Sequence, residues 1–351
     1  MKKEPIRCWP RLTYYNLYQF DLILQFKEVN KMKTFWKVFA VTFLAFVVIF
    51  SGLVWSFSKY IKEDDSSKDL PVVIMDDSEV EDNGVELDRL LKLVENSKRI
   101  NFILLGLEGP RSDTMMFMSF DPESKNLDMI SIPRDTYLVR KGYTRADQKK
   151  INASYGAHGA EGVKTVVSSL LFDVPVDYYV TVTYKGVEAI VNSIDGVPVY
   201  IPKKMEWDDE YSDPPTHIYL EAGHHVLYGA KSVDFLRYRQ PNKGSGALDR
   251  YGDLGRIKAQ QEFLISAAKK VLGPKLPNFI GSAFKHVKTD ITLKTAMKLA
   301  TGAVGFKVED INMNVLPGEP RREKTGDYFF HDPTATRGLL IEIYSKDKTD
   351  K

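Results

Sequence analysis

Cysteine is almost absent from the chain. Cys8 alone among 351 residues leaves no internal disulfide and no cysteine-based zinc site. An excess of one charge is missing too. The 49 Lys+Arg against 47 Asp+Glu give a net charge of +2, not the basic surplus by which proteins capture nucleic acid in bulk, so no nucleic acid partner is expected. Neither a Walker lysine loop nor GxGxxG occurs, which argues against nucleotide use. The N-terminal tail lacks a helix-turn-helix pattern, and there are no internal repeats. With 43% hydrophobic and 27% charged residues, the chain is too apolar for disorder and too charged for a multi-span membrane protein. Its length suits one large or two ordinary domains.

One long apolar run is present. Val38 to Phe57 (VFAVTFLAFVVIFSGLVWSF) is twenty residues without a charge, and as a helix it spans roughly 30 Å, a bilayer core. Trp36, Trp55 and Tyr60 sit near its ends, where amphipathic aromatics favour the headgroup zone. Lys27, Lys31, Lys33 and Lys37 precede it, opposed by Glu28 alone, whereas Lys59 and Lys62 after it are followed at once by Glu63, Asp64 and Asp65. The positive-inside bias makes residues 1–37 a cytoplasmic tail and puts everything after Tyr60 outside the cytoplasmic membrane. A buried core helix would carry a polar stripe, and a cleaved signal would end in a small-residue site; neither is seen. Met32 stands directly before the anchor, so residues 1–31 read as the product of a mis-called start.

Residues 58–98 form an acidic stalk and lead-in helix. Glu63 to Asp88 holds eleven carboxylates and one lysine, which cannot bury enough apolar surface to order itself. A short amphipathic helix is predicted over Asp88–Lys98. Beyond Arg99 the pattern is that of a compact α/β domain. Strands are predicted at Ile100–Leu107, Thr114–Phe120 and Leu127–Ile132, the latter two joined by a polar turn at Asp121–Lys125. Then come a helix at Glu161–Phe172, a strand at Tyr178–Val182, a helix at Tyr184–Ile194 and a strand at Val197–Ile201. Later helices are predicted at Gly229–Arg237, Leu254–Leu272 and Thr292–Gly302. Buried strands interleaved with helices imply a central, mostly buried β-sheet sandwiched by helices, a three-layer αβα fold. Residues 99–272 read as the catalytic domain, and 273–351 as edge strands and a helix packing on the same body.

Four islands place similar chemistry at element ends. Gly106–Thr114 (GLEGPRSDT) carries Glu108 and Asp113 with Arg111 between them. Ile132–Thr136 (IPRDT) carries Arg134 and Asp135, and Phe235–Arg239 (FLRYR) carries Arg237 and Arg239. In Asp253–Gln260 (DLGRIKAQ), Arg256 and Gln260 share a helical face and Asp253 is a plausible N-cap. Arginine forks pair with phosphate oxygens in a bidentate way, and several together neutralise a diphosphate. Two hard carboxylates suit a Mg²⁺ ion that keeps waters and bridges substrate phosphates. Taken singly, each island also fits a structural ion pair at a loop base; the combination at strand and helix ends is what points to phosphoryl transfer.

The ordered set GLE…RSDT, IPRDT, KINASYGAHG (Lys150–Gly159), IDGV (Ile194–Val197), LRYRQ (Leu236–Gln240) and DLGRIKAQQEFL (Asp253–Leu264) resembles the LytR-CpsA-Psr family of cell-wall proteins over about Ile100 to Leu272. The resemblance implies a phosphotransferase that moves a glycopolymer phosphate from a polyprenyl-pyrophosphate carrier onto peptidoglycan, using Mg²⁺. It further implies that Asp113 and Glu108 hold the metal, and that Arg111, Arg134, Arg237, Arg239, Arg256 and Gln260 line the pyrophosphate pocket. Arg134 and Asp135 are the candidate catalytic pair, with Asp135 positioning or deprotonating the acceptor hydroxyl, or only orienting Arg134. The family usually has Asp where this chain has Glu108. An apolar slot for the lipid between sheet and helices implies Val163, Val167, Leu170, Val187 and Ile190 as candidate lining, which ordinary core packing would explain equally.

Two other readings stay open: a non-catalytic envelope sensor or transcription attenuator binding polyprenyl phosphates, and a hydrolase of the lipid diphosphate. His224-His225 reads as a turn beside Gly223 rather than a metal pair, since neighbours on a chain point apart. His158 reads as a loop-packing residue near the site.

Overall fold

The structure, a computed structural model, describes residues 73–74, 84–210, 215–238 and 252–346. The predicted tail, the 38–57 anchor, most of the stalk and Arg239 lie outside the described residues. Among the described residues no helix is long and apolar enough to cross a membrane.

Residues beyond Asp69 form one compact unit. Its centre is a six-stranded sheet, and the first three strands make a meander. β1 (Ile100–Glu108) pairs antiparallel with β2 (Arg111–Asp121), which pairs antiparallel with β3 (Asn126–Ser131) across the polar turn. Helix α1 (Val85–Glu95) leads into β1. From β3 the chain crosses through α2 (Ser154–Leu170) to β4 (Tyr178–Thr183), parallel to β1. Thr183 caps helix α3 (Tyr184–Ser193), its hydroxyl accepting from the Gly186 amide at 3.3 Å. Two ribbons follow. In one, β5 (Val197–Ile201) pairs with β8 (Gly223–Leu227); in the other, β6 (Met205–Asp209) pairs with β7 (Thr216–Leu220). Then come α4 (Gly229–Arg237), α5 (Gly252–Val271) and α6 (Leu276–Ala283).

The C-terminal part completes the same sheet. β9 (Val287–Thr289) adds antiparallel to β4, and β10 (Ile311–Val315), reached through α7 (Leu293–Gly302), adds parallel to β3. The strand order is therefore β9-β4-β1-β2-β3-β10. A hairpin of β11 (Gly318–Glu323) and β12 (Gly326–His331) and a final helix α8 (Pro333–Ser345) close the chain.

Alternation along the strands divides the sheet into two faces. Ile103, Leu105, Met115, Phe117 and Ile130 point one way, into a core filled by α1, α2 and α8. Phe102, Leu104, Met116, Met118 and Val180 point the other way, under α3, α5, α6 and α7. A smaller core lies beneath the two ribbons, where Val199, Ile201, Ile218 and Leu227 meet Phe235 and Phe263.

Several expectations need correction. His224 and His225 lie on strand β8, not in a turn; His224 is exposed and packs on Tyr200 with ring centres 4.8 Å apart. Helix α2 is kinked at Gly159, φ 64°: the part beyond the kink is the helix expected from Glu161, and the part before it, from Ser154, had no expectation. The ribbon β6–β7 and the helix α6 had no expectation at all. The acidic MEWDD of β6 hides its alternation, and the prolines around α6 read as loop. The side chain of Asp253, the expected N-cap of α5 (Gly252–Val271), lies outside the described residues.

Candidate active site

The site is built on an irregularity between β1 and β2. Gly106 pairs with Thr114 but Leu107 pairs with Ser112, so Asp113 is the extra, unpaired residue of a β-bulge. Regular alternation would send Asp113 to the same face as Met115. The bulge instead lets consecutive residues Asp113 and Thr114 both face the α3–α5 side. Gly106 suits this close approach, because a Cβ would lie 3.0 Å from that of Thr114 and would have to push it aside by a few tenths of an ångström. The turn closes through Gly109 at φ 57°, leaving Glu108 at the end of β1 opposite Arg111.

Cations converge on this carboxylate pair from separate elements. Arg134, in the turn after β3, donates from Nη1 to Asp113 Oδ1 at 2.6 Å. Arg237, the last residue of α4, pairs with Glu108. Arg256 on α5 donates to the Asp113 carbonyl at 3.3 Å and is only 5% exposed. One turn along, Gln260 donates to the Leu236 carbonyl at 3.2 Å, tying α5 to the end of α4. Asp135 turns aside to Lys150, whose Nζ lies 3.0 Å from its Oδ1, and keeps a 3.9 Å contact with Arg134 Nε.

Sequence reasoning missed Tyr184. At the start of α3, its hydroxyl donates to Asp113 Oδ2 at 3.3 Å, and the Arg237 guanidinium lies 4.7 Å from its ring centre. A lone tyrosine at a strand–helix junction carries no signal in sequence. Lys150 was missed as a side chain too, although it opens the KINASYGAHG motif.

The two carboxylates titrate as a pair. Burial, then the hydrogen bond and charge of Asp113, push Glu108 up to about 6 against the pull of Arg237. Burial also works against Asp113, but its hydrogen bond with Glu108 and the charges of Arg134 and Arg256 outweigh that and hold it at about 2. Asp113 is thus the permanent anion, and Glu108 is the member that takes up the proton first. Burial, followed by the charges of both carboxylates, raises the Tyr184 phenol, which stays a neutral donor.

Behind this cluster lies a cavity of about 580 Å³. Its polar lining is concentrated at Asp113, Arg237, Arg256 and Gln260, and the remainder is almost wholly apolar. It follows β2 from Thr114 to Phe120, a length of roughly 20 Å at strand spacing. Of the residues expected to line a lipid slot, Val187 and Ile190 on α3 face this cavity. Val163, Val167 and Leu170 do not: they are fully buried on α2, in the solid core across the sheet. Their helical spacing is that of core packing. Arg111 is also displaced from the cluster; it points outward, 48% exposed, toward Asp147 at 3.5 Å. His158 packs edge-on against Tyr143, ring centres 5.3 Å apart.

Glu108 and Asp113 stand together at adjacent strand ends, and among the described residues no cluster of three or more metal-binding side chains occurs. Such a pair fits a hard divalent cation that completes its shell with water and phosphate oxygens; it does not fit a cation caged wholly by protein.

The chain is similar to known proteins in sequence and in fold. The chain is 28% identical over 233 residues to the polyisoprenyl-teichoic acid–peptidoglycan teichoic acid transferase TagV of Bacillus subtilis, spanning 64% of this chain and 56% of that protein. To TagU of Bacillus cereus, named for the same transfer, it is 25% identical over 304 residues, 83% of this chain and 90% of the other. The crystal structure of B. subtilis TagV superposes with a TM-score of 0.58 at 25% identity, covering 72% of this chain and 97% of that one. The profile of the LytR_cpsA_psr family matches residues 59–340, and the chain belongs to that family.

Proposed function

We propose that this protein is a phosphotransferase that attaches a glycopolymer, carried on a polyprenyl diphosphate, to peptidoglycan outside the cytoplasmic membrane. One observation carries the reading. A carboxylate pair gripped by Arg134 and Arg237, with Arg256 on the Asp113 carbonyl, closes the polar end of an apolar cavity about 20 Å long. A diphosphate with a long hydrocarbon tail matches both halves of that site, and the relatives' names supply the polymer class, teichoic acid.

In this reading the prenyl chain lies along β2 and α3, and the diphosphate meets the guanidinium groups, which neutralise its oxygens. A hydroxyl of the wall glycan attacks the phosphorus that carries the glycopolymer. The bond from that phosphorus to the bridging oxygen breaks, and polyprenyl phosphate leaves. We assign the hydroxyl proton to Asp135, which Lys150 holds beside Arg134. Arg134 and Arg237 stabilise charge on the transferring group, since their geometry is fixed by carboxylates before substrate arrives. Glu108 and Asp113 would hold Mg²⁺, which supplies further charge neutralisation when bound. The anchor predicted at Val38–Phe57 would keep the domain at the membrane that delivers the carrier.

The test is direct. The full chain, incubated with lipid-linked glycopolymer, peptidoglycan and Mg²⁺, is expected to yield wall-linked polymer and free polyprenyl phosphate. Product analysis separates this from hydrolysis, which releases polymer phosphate with or without an acceptor. Wild-type output no greater than that of an Arg134→Ala variant defeats the proposal.

A further inference from the structure

The outer wall of the cavity has an unusual charge. From Lys269 to Lys307 the sequence holds eight lysines and one carboxylate, Asp290, in a chain whose overall balance is 49 to 47. Asp290 is already engaged, 2.7 Å from Lys164 Nζ and accepting from the Tyr179 amide at 2.8 Å. The segment's lysines are therefore not balanced locally.

Their placement follows the cavity. On α6, Leu276, Phe279, Ile280 and Ala283 face the cavity, while exposed Lys275 and Lys285 flank the helix. On α7, Ala296, Leu299 and Ala300 face in, and Lys294 and Lys298, one turn apart, face out. On β9, Val287 and Thr289 line the cavity with Lys288 exposed between them; near the end of α5, Ala268 and Val271 do so with Lys269 exposed. None of these six lysines forms an ion pair among the described residues. Leu293 and Val304, each 37% exposed, sit at the two ends of α7 on the same layer.

We infer that the α5–α7 layer is a docking surface for an anionic phospholipid membrane, over which a prenyl chain passes from bilayer to cavity. This inference rests on the proposed function for the identity of the cavity's occupant. Unpaired lysines outside and an apolar hollow inside are what a wall between an anionic headgroup layer and a hydrocarbon chain requires. Edge-strand protection explains Lys288 alone, and solubility does not call for so complete a lack of acid. Each lysine brought near an anionic bilayer strengthens attachment roughly fivefold, and the attraction fades within a Debye length.

Lysine acetylation on the full chain, read by mass spectrometry, tests this in nanodiscs of phosphatidylcholine alone and in nanodiscs enriched in phosphatidylglycerol. Lys275, Lys285, Lys294 and Lys298 are expected to react at least about threefold more slowly in the anionic discs, and high salt should restore them. Exposed Lys141 and Lys324 should react alike in both. A Lys285→Glu, Lys294→Glu, Lys298→Glu variant should raise the KM for lipid-linked substrate in anionic discs while leaving its turnover in detergent unchanged. Equal labelling in both discs overturns the inference, as does protection by soluble poly(glycerol phosphate) but not by discs, which would make the face a polymer site. Labelling needs no catalysis, so selective shielding in a chain that transfers nothing would sink the transferase reading and leave the docking surface standing.

Discussion

The two faces of the central sheet are built from the same strands and are about equally apolar, yet one is solid and the other hollow. On the solid face, Leu90, Val166, Leu170, Leu340 and Tyr344 fill the space above Ile103 and Phe117. On the hollow face the covering helices also carry large apolar side chains, Phe263, Leu276, Phe279, Ile280 and Leu299 among them, with Ala268, Ala283, Ala296 and Ala300 beside them, yet they surround about 580 Å³ of space rather than filling it. Side chains that interlock to crystal-like density admit no guest, whereas the same kinds of side chain around an unfilled space do. Hydrophobicity alone does not distinguish a core from a binding slot; whether the side chains meet across the gap does.

Substitutions should separate the faces. The largest effect is expected at the polar rim of the hollow side: Arg134→Ala should cut kcat by about 10³-fold with little change in melting temperature. Next, Leu170→Ala on the solid side should cost about 2–5 kcal/mol in denaturant unfolding while leaving the KM for lipid-linked substrate alone. Filling the hollow reverses that pattern. Ala300→Phe should raise the KM for lipid about tenfold without lowering stability, because the ring enters existing space. A stability loss without a KM change at Ala300 would show that the hollow side is core after all. Smaller still, Tyr184→Phe keeps the ring beneath Arg237 but removes the hydroxyl from Asp113; kcat should fall roughly tenfold, the value of one hydrogen bond to a charged group.

The gentlest test is titration. Glu108 is raised to about 6, so it is protonated below that pH and ionised above it. Calorimetric affinity of the substrate-free protein for Mg²⁺ should therefore increase as pH passes upward through about 6, and Glu108→Gln should flatten the rise. No second limb is expected near neutrality from Asp113, held at about 2.

The sheet was largely legible because its strands are continuous apolar runs bounded by charged turns: β1, β2, β3 and β4 fall within a few residues of expectation. Strands with mixed surfaces, such as β6 with its MEWDD, were not, since one exposed face and one buried face over five residues give little pattern. At the site, Glu108, Asp113, Arg134, Arg237, Arg256 and Gln260 were found by chemical type at element ends, and the fold gathers them. Arg111 shares that signature yet points to Asp147, because alternation along β2 is decided by the bulge and not by composition. Val163, Val167 and Leu170 failed for a simpler reason: helical spacing shows that a stripe is buried, never against which side of a sheet.

The misregister at Asp113 has an evolutionary and engineering consequence. Because the anion reaches the diphosphate end only as one surplus residue, deleting Asp113 would leave Gly106 opposite Thr114 and Leu107 opposite Ser112 in a flawless ladder and blind the catalyst. Such a shortened chain should keep its fold and do nothing, a ready-made inactive control whose other side chains around the slot are native.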